Sequence, residues 1–234
     1  MYHRFWWTGE RRRVSAEGFE AQMRYIRDHF TPIRLSSLVS QLRSGQPLSP
    51  SQVVITVDDG YADFREIAYP ILRRYKIPAT IFIVSRFADQ AIWLWFDALR
   101  YAIRHAAPGR RVLAIPHVAH AIALDGPESR AAAWNQLGDA CLTLTPAERL
   151  EASARIAEAL EVVMPPRPIE EFRGMTWDEI RSFDPELIEI GSHTCSHPVL
   201  SRCTDGELVT ELIESRRVIE REIGRPVVAF SYPN

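Results

Sequence analysis

Four short apolar runs, mostly β-branched or aromatic, punctuate the chain: Val53 to Val57, Ala79 to Val84, Leu187 to Ile190 and Val227 to Phe230. They lack the every-other-residue alternation of a half-exposed strand, so each predicts a strand covered on both faces. Between them the period becomes that of a helix. In "SAEGFEAQMRYIRDHF" Ser15 is a capping residue, and Phe19, Met23, Ile26 and Phe30 share one face. In "TDGELVTELIESRRVIEREIG" Thr204 and Glu207 have capping-box spacing, Leu208, Leu212, Ile219 and Ile223 face inward, and Gly224 stops the helix. A long tract, about Ala91 to Val163, separates the second and third strands and ends at the rigid "PPRP" of Pro165 to Pro168. It reads as a helical insertion within one domain spanning 1–234. Strands alternating with helices predict an α/β fold with a largely parallel sheet or barrel.

Such folds carry their chemistry beyond the carboxyl ends of the strands. "DDG" follows the first strand, "GSHTCSH" the third and "SYPN" the fourth, so all three should meet on one rim.

Composition changes this picture only by exclusion. With 234 residues, 46% hydrophobic, 25% charged and a formal net charge of -2, the chain has an ordinary globular balance. That charge gives no reason to expect nucleic acid or an anionic membrane as partner. No apolar run approaches the ~20 residues that span a bilayer, so no transmembrane segment is expected. "MYHRFWWTGERRR" puts aromatics before charges, the reverse of a secretory leader. The chain as it stands therefore reads as cytoplasmic, and as extracytoplasmic if a leader precedes it. Cys141, Cys195 and Cys203 are too sparse and odd a set for a disulfide framework.

The adjacent carboxylates Asp58 and Asp59 repel each other and resist desolvation, so their place at a strand end needs a reason. "DDG" alone is also good turn and cap chemistry. His193 and His197, at i, i+4, would put two imidazoles on one side of a helical turn, although Pro198 disfavours helical backbone at His197. Two histidines and a carboxylate form a recurrent open metal site. Because successive strand residues point to opposite sides, one aspartate can bind the cation while the other serves as a general base.

Together "TVDDG", "GSHTCSHPVLS" and "FSYPN" resemble the motifs of the polysaccharide deacetylases, carbohydrate esterase family 4, usually T-F-D-D-G, H-S/T-x-x-H and R-P-P-Y-G. "YPILRRYKIPATIFIV" and "VSAEGFEAQMRYI" are similar to the flanking elements of that family. The resemblance covers most of the chain outside the tract from about Ala91 to Val163. It implies a distorted (β/α) barrel and a divalent metal, commonly Zn2+, held by Asp59, His193 and His197. Asp58 is then the catalytic base, and the reaction releases acetate from an N-acetylated amino sugar of a polysaccharide or oligosaccharide. The third motif implies substrate contacts at Tyr232 and the backbone N–H of Asn234.

Three departures qualify the match. Ser231 stands where the motif has an arginine, which leaves open what orients Asp58. The chain stops at Asn234, inside the third motif, so the domain is expected to be incomplete at its C-terminus. "MYHRF" places a Tyr-His pair ahead of the "DDG" strand, as in circularly permuted poly-N-acetylglucosamine deacetylases, which implies His3 as the catalytic acid; a frayed terminal histidine is the plain alternative. Cys195 reads as a buried thiol, His117 and His120 as ordinary residues of the insertion, and Trp93, Trp95, Phe96 and Tyr101 as packing rather than a sugar platform. Rival functions are the same site acting on another ester or amide, and a non-catalytic or truncated carbohydrate-binding relative.

Overall fold

A computed structural model describes residues 1–6, 14–115 and 118–233. Asn234 and His117 lie outside the described residues. The first part of the chain runs β1 (Phe5–Trp6), β2 (Val14–Ser15), α1 (Ala16–His29), β3 (Thr31–Pro32), α2 (Leu35–Ser44), β4 (Gln52–Val53) and β5 (Ile55–Val57). A π turn (Phe64–Ala68), α3 (Tyr69–Tyr75), β6 (Ala79–Ile83) and α4 (Ser85–Ala88) complete the first half of the scaffold. After the insertion come α8 (Trp177–Arg181), β9 (Ile188–Ser192), α9 (Asp205–Val209), a second π turn (Thr210–Glu214) and α10 (Ser215–Ile223).

The expected parallel sheet is present as β5-β6-β9, with Val57 opposite Ile81 and Ile81 opposite Ile190. β6 is buried at every position, as a strand covered on both faces should be, and its one polar side chain, Thr80, donates to Glu189 at 3.0 Å. Single parallel bridges widen the sheet on both sides, Tyr2 to Val57 and Ser192 to Phe230. Five consecutive segments thus run in one direction, although among the described residues they do not close into a barrel. The run from Val227 to Phe230 pairs only at Phe230, where a full strand was expected. Pro226 and Pro233 flank it without N–H groups to extend the ladder, and Val228 is left exposed. Gly191 is needed where β9 passes Phe82: a Cβ there would lie 2.6 Å from Phe82 Cε1.

Ser15 caps α1 by accepting from the Gly18 N–H at 3.0 Å, and Phe19 and Met23 bury its inner face. Thr204 and Glu207 form the expected capping box, and Gly224 ends α10 at φ 67°. Leu212, however, is exposed rather than inward. The π turn adds a residue to the helical repeat there, so the buried stripe resumes at Ser215 and Ile219.

The insertion departs most from expectation. It holds α5 (Trp95–His105), an antiparallel hairpin of β7 (Arg110–Ile115) and β8 (Val118–Ala123), α6 (Pro127–Leu142) and α7 (Pro146–Ala159). It is therefore not all helical. Val112 and Ala114 are exposed while Leu113 and Ile115 are buried, the period of two that defines a strand. Leu99, Ile103, Leu113, Ile122, Leu137 and Ile156 belong to a hydrophobic cluster made wholly of insertion residues, distinct from the scaffold's. Tyr61, Val84, Phe87 and Leu94 form a third, smaller cluster with Phe96 packed against it.

Candidate active site

The chain order sets the site. Tyr2 pairs beside Val57, and the Asp58 N–H donates to the Tyr2 carbonyl at 3.0 Å, so the next residue, His3, comes level with Asp58. Beyond β5, Asp59 adopts φ 75° and Gly60 φ 88°. Strand alternation alone would send the two aspartates to opposite sides; the left-handed turn brings Asp59 back, and both line one cavity. Asp is among the few side chains that tolerate that conformation. Beyond β9, His193 and His197 reach the same cavity without a helical turn. Thr194 (φ 72°) and His197 (φ 60°) are left-handed, and the imidazole centroids stand 5.0 Å apart. Beyond Phe230, Ser231 and Tyr232 complete the rim.

His193 and His197 point their Nε2 atoms at Asp59 Oδ1, 3.5 and 3.3 Å away. All three residues are buried. The contacts are ion-pair distances without hydrogen-bond alignment, and Asp59 Oδ1 has no donor. Ligand atoms around a tetrahedral zinc with bonds of 2.0–2.1 Å sit about 3.4 Å apart, which these separations match. One atom of each residue falls within 4.8 Å of the others. His193 Nδ1 lies 2.9 Å from the Ser231 carbonyl, which takes the Nδ1 proton and leaves Nε2 free to coordinate. The donor set fits a divalent cation.

Electrostatics separate the two aspartates. Burial pushes the Asp59 carboxyl up, but the two imidazoles outweigh it and hold it well below the usual carboxylate range. Burial pushes Asp58 up and wins, although His193 and His3 pull the other way. Burial would lower His193, and the Asp59 carboxylate reverses this and raises it. Asp58 Oδ2 lies 3.5 Å from Ser231 Oγ and 3.9 Å from His3 Nε2, and Asp58 Oδ1 is buried without a donor. A serine hydroxyl thus stands beside Asp58 where an arginine was expected.

The cavity encloses about 690 Å³. Its far wall comes from the insertion: Trp95, Phe96, Asp97 and Arg100 on α5, and Trp134 and Asp139 on α6. The aromatic cluster therefore divides. Trp93 and Tyr101 pack on each other at 5.3 Å, whereas Trp95 and Phe96 face the cavity and Phe96 meets the His197 ring edge-on at 5.3 Å. Asp97 is buried, accepts from the Tyr61 hydroxyl, and is pushed up to about 6 by burial. Arg4 lies over the Tyr61 ring at 3.8 Å and pairs with Asp63 at 2.6 Å. Sequence reasoning missed Asp97, Arg100 and Trp134, which sit in helical patterns carrying no signal of a cavity. Cys195 is a buried thiol bonded to the Thr210 carbonyl, away from the imidazoles, and His120 lies in the insertion beside Gln136.

Comparison with known proteins gives the family. The family described as polysaccharide deacetylase matches residues 45–234. The Bacillus subtilis protein YxkH, named as a polysaccharide deacetylase, is 37% identical over 92 residues, covering 37% of this chain and 31% of that protein. The poly-beta-1,6-N-acetyl-D-glucosamine N-deacetylase of Escherichia coli K12 is 30% identical over 77 residues, 32% of this chain and 12% of that protein. The matches thus span less than a third of either relative's length. The Streptococcus pyogenes deacetylase PplD, solved with acetate, superposes with a TM-score of 0.60 at 14% identity, covering 100% of this chain and 71% of that one. At that identity the likeness is one of fold.

Proposed function

The chain belongs to the polysaccharide deacetylase family, and from that premise we propose that it is a metal-dependent hydrolase. It removes N-acetyl groups from an amino-sugar polysaccharide or oligosaccharide and releases acetate. In this reading its strands are an arc of a distorted (β/α) barrel, Asp59, His193 and His197 hold a divalent cation, and the nitrogen-rich donor set favours Zn2+. The bound cation supplies Lewis acidity at the amide carbonyl.

The side chains divide the proton work. Asp58 Oδ2 takes a proton from the attacking water, and burial makes it a stronger base than an ordinary carboxylate. Ser231 Oγ, at 3.5 Å, aligns that oxygen. Water adds to the amide carbon, the C–N bond breaks, and His3 gives the departing amine its proton. The His3 side chain is half exposed, which opens it to proton exchange with solvent. Tyr232 at the exposed rim and the Asn234 backbone N–H contact the substrate. Trp95 and Trp134 offer flat apolar faces to a sugar ring, with Arg100 and Asp139 as polar partners.

The observation that carries the reading is the convergence of His3, Asp58, Asp59, His193 and His197 on one cavity from parallel segments of one sheet. It is tested by metal analysis of the purified protein and acetate release from poly-N-acetylglucosamine oligosaccharides. One bound divalent ion and chelator-sensitive release are expected. Activity that survives complete metal removal overturns it.

A further inference from the structure

We infer that Glu211 is the positioning residue that holds the loop between His193 and His197 in its ligating shape; this rests on the metal reading above. The loop is not self-supporting. Thr194 and His197 both occupy left-handed backbone, at φ 72° and 60°, without being glycine. Each such residue costs about 1 kcal/mol or more and persists only where its surroundings hold it.

The holding is visible group by group. The loop's carbonyls point to α4, where the Ser85 N–H donates to Thr194 O at 3.1 Å and the Arg86 N–H to Cys195 O at 3.0 Å. Its amides point the other way. The Cys195 and Ser196 N–H groups donate to Glu211 Oε2 at 2.7 and 2.9 Å, and Ser196 Oγ donates to Glu211 Oε1 at 2.5 Å. The His197 N–H closes the loop on Thr194 Oγ1 at 3.0 Å. Two successive amides on one carboxylate form an anion-binding nest, and such bonds are about twice as strong as neutral ones.

Glu211 reaches this nest because it lies in the π turn of residues Thr210–Glu214. The extra residue in that turn swings Glu211 toward the loop and lets Ser215 face in four residues later, where its hydroxyl meets Ser192 Oγ at 2.7 Å. The turn that exposes Leu212 is therefore the device that delivers Glu211. Glu211 lines no part of the active-site cavity, so it acts on the reaction only through the two histidines.

Glu211→Gln keeps the volume and one acceptor oxygen but loses the charge and the second acceptor. Its zinc dissociation constant, measured by chelator competition well below the melting temperature, is expected to rise about 10–100-fold, as for other residues that orient metal ligands. Amide exchange at Cys195 and Ser196 should accelerate with it. Glu214→Gln is the control: Glu214 shares the turn but pairs with Arg217 at the surface, and this variant keeps wild-type affinity. A Glu211→Gln protein with lowered melting temperature but unchanged zinc affinity overturns the inference, leaving Glu211 a purely structural role. A wild-type protein that binds no divalent ion overturns the metal reading itself, and the inference with it.

Discussion

His3 Nε2 stands 3.9 Å from Asp58 Oδ2, brought there by a single backbone bridge between Tyr2 and Val57. A residue near the chain start and one at the end of a buried strand thus share one edge of the cavity. If His3 protonates the leaving amine, His3→Ala lowers turnover by about 10²–10⁴-fold. Bound metal stays unchanged, because His3 is not among the three ligands. Acetate release together with metal analysis checks both halves, and a silent variant removes His3 from the mechanism.

Asp58 and Asp59 should separate cleanly. Asp58→Asn is expected to abolish turnover with metal retained, whereas Asp59→Asn loses metal first. Equal metal loss in both variants contradicts the division. Asp58 works as a base only when ionised, and burial raises its carboxyl. The rate should therefore rise with pH as that carboxyl loses its proton.

The insertion's wall should be read in substrate affinity. Trp134→Ala removes an aromatic face from the cavity without touching the proposed ligands. An aromatic contact of about 0.5–1.5 kcal/mol predicts a rise of ~2–12-fold in KM for oligosaccharides, with zinc affinity unaltered. Steady-state kinetics on short and long oligomers decide it: an unchanged KM for both excludes this wall from binding.

Asp97 makes stability depend on pH. Its folded-state carboxyl is raised to about 6 by burial, against Arg4 and the Tyr61 hydroxyl. The folded chain holds that proton more tightly than the unfolded one, whose Asp titrates near 3.9. The native state thus loses stability as pH rises between these values and keeps the full penalty above them. Asp97→Asn preserves an acceptor for Tyr61 and removes the charge. It should gain up to about 3 kcal/mol at neutral pH and nothing near pH 3. Urea denaturation of the metal-free protein at both pH values is the measurement.

The parts legible in the sequence are those whose signal is local. Ala79 to Ile83 reads as a buried strand because it lacks the alternation of a half-exposed one, Thr80 being its one polar residue. That Asp58, Asp59, His193 and His197 would share one rim was legible because each follows the carboxyl end of a parallel strand. Geometry was not: the histidines meet through left-handed Thr194 and His197 rather than a helical turn, and the turn at Asp59 cancels strand alternation. The hairpin of β7 and β8 lies inside the tract that reads as a helical insertion. Glu211 was hidden too, since a π turn shifts the face a residue presents and leaves no mark in the periodicity. Trp134 looks like any half-buried helical tryptophan until α6 is set against α5.

The separate hydrophobic cluster of the insertion has a consequence for descent. The proposed ligands and base follow strands packed in one core, while much of the cavity wall opposite rests on another, and Phe96 packs against a third, smaller cluster of Tyr61, Val84, Phe87 and Leu94. Phe96 on α5 also packs against the His197 ring, so the part of this wall that rests on the insertion's own cluster alone is α6, with Trp134 and Asp139. A lineage carrying this architecture can reshape the α6 side of the cavity in small steps while the residues at the strand ends keep their places.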